Sequence, residues 1–275
     1  MTSATHNLSQ RFPRKRAFIT GAASGLGLAC AETLAREGWQ LFLTDADGVR
    51  LELVTQSFVR DGAKVASFVC DVRDADAVES VVGAACESAG GIDLAIHCAG
   101  VAAAGPFHAT TTDDWRWVLD INLLGVVNAS RAVIQRMARG QGGIIINIAS
   151  AASFCTGTQM SIYNTSKAAV VALSESLMQE YADYGVHVVA AMPGFFQTRL
   201  MESARGPERT LQAARRLIDT SNLAAEQVAE EMLWAAARGS THFVYPSRYQ
   251  WLWRLKRAMP QRFQKLLPRL LKRRT

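Results

Sequence analysis

The chain has 275 residues, 49% hydrophobic and 20% charged, with a formal net charge of +6. That balance excludes a disordered or fibrous chain, and the length suits one well-buried α/β domain. The five cysteines (Cys30, Cys70, Cys86, Cys98, Cys155) are odd in number and lack metal-ligand or redox-motif spacing, so they are expected to be reduced and no metal is expected. Residues 1–15 are polar without an apolar signal core, and no run is expected to reach the length that spans a bilayer. The expected location is the cytoplasm.

A flexible N-terminus is expected over residues 1–14. Beyond it, short apolar runs alternate with longer amphipathic ones, the pattern of β-α-β units. Strands are expected at residues 17–20, 40–44, 64–70, 93–97, 143–149, 186–191 and 242–244. They are nearly continuous hydrophobics, as strands covered on both faces should be. Helices are expected at residues 26–36, 48–60, 75–88, 112–137, 163–184 and 224–238. The order predicts a single Rossmann-type doubly wound fold over residues 15–247, about seven parallel strands flanked by helices.

The first strand runs into Gly21-Ala-Ala-Ser24-Gly25-Leu26-Gly27, which opens the first long helix. Glycines there let the backbone turn tightly and approach a pyrophosphate, while the helix N-terminus supplies free N–H groups. Asp45 ends the second strand eighteen residues after Gly27, where a carboxylate would meet a ribose.

Tyr163 and Lys167 are four residues apart on an expected helix, so their side chains share a face. A neighbouring ammonium favours the phenolate, so Lys167 is expected to lower the pKa of Tyr163 toward the neutral range. Ser150, thirteen positions upstream, would hold a carbonyl or hydroxyl against the phenol.

The glycine spacing combined with Ser150, Tyr163 and Lys167 resembles the classical short-chain dehydrogenase/reductase family, over about residues 15–245. The resemblance implies that residues 15–247 form a dinucleotide-binding and catalytic domain with Asn122, Ser150, Tyr163 and Lys167 as the catalytic set. It extends the cofactor set of Gly21, Ser24, Gly25, Leu26, Gly27 and Asp45 to Asp71, Val72, Ala99, Gly100, Tyr163, Lys167, Pro193, Gly194 and Thr198. In the role it implies, Tyr163 moves a proton at the substrate oxygen and Ser150 hydrogen-bonds that oxygen. Lys167 would lower the tyrosine pKa and hold the nicotinamide ribose, and Asn122 would hold a water linking Lys167 to solvent. One departure stands out: His97-Cys98-Ala99-Gly100 replaces the family's usual Asn-Asn-Ala-Gly. A thiol is a weaker hydrogen-bonding group than an amide, which concerns local packing. His97 reads as a structural residue.

The expected cofactor is NAD, with NADP less favoured. Asp45 would repel a 2′-phosphate, and neither Ala46 nor Ser24 is basic. By resemblance, Phe154, Met160, Phe195 and Phe196 join Ser150 and Tyr163 in the substrate pocket, with residues 199–220 as a mobile lid. These side chains suggest a small hydrophobic secondary alcohol or its ketone. The lid arginines read as a solvated face or as contacts for an acidic head group. An NADP(H)-dependent carbonyl or 3-oxoacyl reductase is the alternative, and a non-catalytic nucleotide-binding regulator a further one. The resemblance also implies a homodimer or homotetramer.

Residues 248–275 hold ten Lys/Arg and no Asp/Glu, so the rest of the chain carries −4. Trp251, Leu252, Leu255, Met259, Phe263, Leu266, Leu267 and Leu270 recur at spacings of three or four, interrupted by Pro260 and Pro268. Such a basic amphipathic tail suits peripheral contact with an anionic membrane surface, and equally packing on its own domain or a partner subunit. Nucleic acid is not an expected partner.

Overall fold

In the computed structural model, which describes residues 6–272, the apolar runs form seven parallel strands. They are β1 (Arg16–Thr20), β2 (Gln40–Asp45), β3 (Val65–Val69), β4 (Leu94–His97), β5 (Gly143–Ile148), β6 (Val186–Pro193) and β7 (His242–Tyr245). The strand order β3-β2-β1-β4-β5-β6-β7 reverses direction between β1 and β4. A crevice opens outside the carboxyl ends of the strands at such a reversal, which is where open α/β sheets bind ligands.

Eleven α-helices are assigned among the described residues: α1 (His6–Arg11), α2 (Gly25–Arg36), α3 (Gly48–Arg60), α4 (Ala75–Ala89), α5 (Thr112–Leu119), α6 (Gly125–Arg139), α7 (Ser161–Glu180), α8 (Glu208–Asp219), α9 (Ala225–Ala237), α10 (Ser247–Ala258) and α11 (Pro260–Lys272). Strand side chains alternate between two cores. Ile144, Ile146 and Ile148 of β5 join Leu34 of α2, Leu51 of α3 and Met232 of α9 on one face. Ile145 joins Val82 of α4 and Val133 of α6 on the other. Every residue of β5 is buried, which is why this strand reads as an unbroken apolar run.

Several expectations change. Within the segment expected to be flexible, residues 6–11 form α1, with Leu8 fully buried and Phe12 8% exposed; residues 1–5 lie outside the described residues. The helix expected over 112–137 contains a π turn at Asp120–Leu124 between α5 and α6. Gly125 follows it because a Cβ there would sit 2.5 Å from Val72 Cγ2. The combined stretch Thr112–Arg139 does meet the length and apolarity needed to cross a membrane, contrary to expectation. Half of its most apolar window is buried inside the fold, as in the core helix of a globular protein.

His97 is buried, and its Nδ1 lies 2.8 Å from Asn147 Oδ1 and 3.3 Å from Ser130 Oγ. Asn147 Nδ2 donates to Ser174 Oγ at 3.1 Å, so one polar chain ties β4 and β5 to α6 and α7. Burial pulls the imidazole down to about 4, which keeps it neutral. Cys98, at the position of concern for packing, is held through its backbone, donating N–H to Thr20 O at 3.1 Å.

Candidate active site

The turn between β1 and α2 is shaped by what a side chain would strike. Gly21 has φ +64° and its Cβ would lie 2.6 Å from Ala99 N, while a Cβ on Gly27 would lie 2.1 Å from Gly21 O. Only glycine fits either place. Ser24 caps α2 in extended conformation without a side-chain capping bond, so its hydroxyl leaves the first N–H groups of the helix available to an anion. Above them, Asp45 Oδ2 accepts the Ala23 N–H at 3.0 Å and Oδ1 accepts the Asp47 N–H at 3.0 Å. Asp71 is paired with Arg73, whose hydrogen bonds hold the carboxyl below its usual range. Val72 is held through its carbonyl, which accepts from Asn128 Nδ2 at 2.9 Å.

The β5 end carries Ser150 at the cap of a short 3-10 turn, its Oγ accepting the Ala152 N–H at 3.1 Å. Tyr163 stands on the first turn of α7, where the Ser150 hydroxyl is near enough to act on its phenol. Lys167 Nζ lies 5.9 Å from the centroid of the Tyr163 ring and donates to Ile148 O at 2.8 Å. The expectation that Lys167 draws the phenol down is not met. Burial pushes Tyr163 up to about 12 against the lowering from Ser150, and burial pulls Lys167 down to about 8. Desolvation dominates both shifts because both groups are buried, at 7% and 4% exposure.

A cavity of about 1310 Å³ joins these parts, larger than an ordinary single-ligand pocket. The whole expected cofactor set lines it, from Gly21 through Pro193, Gly194 and Thr198, together with Ser150, Met160, Phe195 and Phe196. Two expected residues do not. Asn122, fully buried in the π turn, has its amide committed: Oδ1 accepts Val101 N–H at 2.8 Å, and Nδ2 donates to Val101 O at 2.9 Å and to Ser166 Oγ at 3.1 Å. It braces the wall from behind; a Cβ on Gly100 would lie 3.2 Å from Asn122 Oδ1 and 3.5 Å from Lys167 Nζ. Phe154 does not line the cavity, because the turn Ala151–Ser153 sends it into a cluster with Val170, Met192, Val244 and Tyr249.

Tyr249, on α10, lines the cavity instead and lies so close to Gly194 that a Cβ there would be 2.1 Å from Tyr249 Cε2. Its place in the basic tail gave no local signal of this role. Trp117, Arg50 and Arg73 are further lining residues absent from the sequence reading. The lid region contains α8, whose Leu211 and Ile218 are buried beside Ala102, Ala104, Tyr163 and Met201. Arg205 stacks over Trp117 at 3.9 Å and Arg50 pairs with Glu202 at 3.2 Å, so the lid is fastened over both ends of the cavity.

A family model described as short chain dehydrogenase matches residues 15–209. The chain is 35% identical over 189 residues to the 2,3-dihydro-2,3-dihydroxybenzoate dehydrogenase of Bacillus subtilis, covering 69% of this chain and 72% of that one. Among solved structures it is similar to a short chain dehydrogenase/reductase from Burkholderia phymatum in complex with NAD, with TM-score 0.83, 30% identity, and 89% and 93% of the two chains covered. It is also similar to an alcohol dehydrogenase from Thermococcus sibiricus complexed with 5-hydroxy-NADP, with TM-score 0.74, 25% identity, and 86% and 97% covered. The nucleotide-sized cleft at the sheet reversal, the match over most of the chain and these relatives lead to one conclusion: the chain belongs to the short-chain dehydrogenase/reductase family of oxidoreductases.

Proposed function

We propose that the protein is an NAD(H)-dependent oxidoreductase interconverting a hydrophobic secondary alcohol and its ketone. Residues 15–247 form the catalytic unit of this reading, with 248–275 appended, and copies assemble as a homodimer or homotetramer. The observation that carries it is the Ser150–Tyr163 hydroxyl pair with Lys167 Nζ 5.9 Å from the phenol ring, set between a glycine cradle and an apolar chamber.

The glycine positions that exclude a Cβ and the open start of α2 fit a pyrophosphate, and Asp45 fits ribose hydroxyls. Bound there, a nicotinamide dinucleotide supplies or accepts the hydride. Tyr163 gives its phenolic proton to the substrate oxygen in reduction and takes it back in oxidation. Ser150 Oγ donates a hydrogen bond to that oxygen and stabilises charge building on it. Lys167, beside the phenol ring, is the group that would hold the nicotinamide ribose hydroxyls. Asn122 acts as a positioning residue, fixing Val101 and, through Ser166, the first turns of α7. Because the phenol is pushed up to about 12, the tyrosine base is scarce at neutral pH, and kcat/KM for oxidation is expected to rise with pH.

The test is Tyr163→Phe. Turnover should fall by about 10²- to 10⁴-fold while NADH binding is retained. Unchanged turnover would remove Tyr163 from this role. A panel of secondary alcohols of increasing chain length should show kcat/KM rising with apolar size.

NAD is favoured because Asp45 ends β2, where its carboxylate would meet the ribose and repel a 2′-phosphate. One observation favours the reading as an NADP(H)-dependent carbonyl or 3-oxoacyl reductase: Arg50 and Arg73 line the same end of the cavity. Both are already engaged, with Glu202 and Asp71 respectively, which leaves NAD ahead. Rates with NADH and NADPH decide between them, and Asp45→Ala combined with Ala46→Arg should move preference toward NADPH.

A further inference from the structure

The structure divides the apolar stripe of the tail. Tyr249, Leu252 and Trp253 of α10 turn inward onto Phe154, Met192, Val244 and Phe195, and Tyr249 reaches the cavity itself. Phe263 and Leu267 of α11 are also buried, at 0% and 3% exposure. The outward side keeps Trp251 at 58%, Met259 at 38% and Leu266 at 40% exposed. Arg248, Arg254, Arg262 and Lys265 of the same two helices are exposed as well, Arg262 Nη1 lying 3.9 Å from Met259 Sδ. The side chain of Leu270 lies outside the described residues.

We infer that this outward face docks on an anionic lipid surface and thereby sets the wall of the substrate cavity against the bilayer. The inference rests on the reading of the substrate as a lipophilic alcohol or ketone. A tryptophan and two aliphatic side chains interleaved with arginines match the two requirements of an interfacial segment. Apolar groups enter the boundary of the acyl chains, and long basic side chains reach the lipid phosphates. The charge is complementary: ten Lys/Arg and no acid in residues 248–275, against −4 for the rest of the chain. A second copy meeting this face about a two-fold axis would set like charge on like, which disfavours a homo-oligomer built through it. Because α10 is at once cavity wall and docking helix, a substrate dissolved in lipid is presented next to Tyr249.

The experiment is co-sedimentation of the full chain with vesicles of phosphatidylcholine alone and with about 30% phosphatidylserine, at about 0.1 M and about 0.5 M NaCl. The wild type should bind the anionic vesicles only, and high salt should release it. Removing two exposed charges by Arg254→Gln with Lys265→Gln should weaken binding by about 25-fold, at about five-fold per charge. Trp251→Ala should weaken it further, with an unchanged unfolding midpoint. Absence of binding, equal binding to neutral vesicles, or unchanged binding in the double variant would overturn the inference. So would tighter binding to duplex DNA than to vesicles, or a double variant that changes oligomeric mass in light scattering without affecting vesicles. With a long-chain secondary alcohol in the vesicles, kcat/KM should rise several-fold on anionic over neutral lipid in the wild type only. An equal rate would break the link to the cavity. Turnover of a water-soluble secondary alcohol without vesicles tests the catalytic reading by itself, so the two failures are distinguishable.

Discussion

The two halves of the cavity are built by different means. On the cofactor side, β1, β2 and the start of α2 leave no room for side chains: Gly21 and Gly27 are pressed against backbone, and Asp45 accepts two backbone N–H groups. Most of that geometry is set within some thirty residues of sequence, with Ala99, just after β4, closing in on Gly21. On the substrate side, the lid meets the loop after β4 and the loop before α7 through separate fastenings, Ala104 N to Arg205 O at 2.9 Å and Thr210 Oγ1 to Gln159 Oε1 at 2.8 Å, while Gly105 N to Gln159 O at 2.7 Å joins the two loops to each other. Each such bond is worth about 1 kcal/mol net, so the roof can part locally while the cradle holds.

The largest effect should come from breaking the rigid half. In Gly27→Ala the new methyl would lie 2.1 Å from Gly21 O, a backbone atom that cannot swing aside. Refitting the turn should cost about 1–3 kcal/mol of stability. It should also move the N–H groups aimed at the pyrophosphate, weakening NADH binding by more than about 100-fold, since a few charge-assisted bonds of about 1.5–3 kcal/mol each are involved. Fluorescence titration with NADH checks the second claim. A variant that binds NADH normally would mean the cradle is not rigid.

Lys167 lies at the seam, and its substitution separates stability from chemistry. Burial holds its pKa at about 8, against 10.5 for the ordinary side chain. The unfolded chain therefore binds this proton more tightly, and this group makes the wild type gain stability as pH rises from about 8 to 10.5. At pH 7 the buried ammonium costs about 3 kcal/mol, offset by about 1 for its bond to Ile148 O. Lys167→Met should thus be more stable by about 2 kcal/mol at pH 7, with the gain shrinking toward pH 10 and turnover lost. Urea unfolding at the two pH values measures it. Equal stability at both would show that the amine is better solvated than its burial implies.

The contrast between halves also explains what the amino-acid order made legible. Strand positions and most of the glycine cradle followed from local rules: β5 is apolar because both its faces are covered, and Gly27 is needed by its contact with Gly21, close in sequence, although Gly21 is also closed in by the distant Ala99. The substrate side depends on which distant segments meet. Phe154 leaves the pocket expected of it because a single 3-10 turn points it into the core, and Tyr249, to which the sequence assigned no role, reaches the cavity because α10 folds back over Gly194. The π turn at Asp120–Leu124 is invisible in a helical period that continues through it, although Asn122 was found by motif. The Tyr163–Lys167 spacing correctly placed the two side chains together. It carried no measure of burial, and burial reverses the direction of the phenol's shift.

The smallest effect should come from loosening the roof. Arg205 packs its guanidinium 3.9 Å from the centre of the Trp117 ring, while its backbone accepts from Ala104 and donates to Ala102 at 3.1 Å. Arg205→Ala removes the stack and keeps the backbone bonds, a loss of about 0.5–2 kcal/mol that should raise the open fraction of the lid by about 2- to 30-fold. Trypsin reports it directly, because Arg199, Arg209, Arg215 and Arg216 remain in the lid. Cleavage within residues 199–216 should accelerate, KM for long-chain alcohols should rise, and NADH affinity should change little. Gly206→Ala attacks the same fastening through the backbone, since a Cβ there would fall 1.9 Å from Ala104 O at φ +143°. It should therefore expose the lid more than Arg205→Ala does. If both variants instead lose NADH affinity in proportion to their cleavage rates, the roof and the cradle move as one, and the division between a fixed cofactor half and a parting substrate half fails.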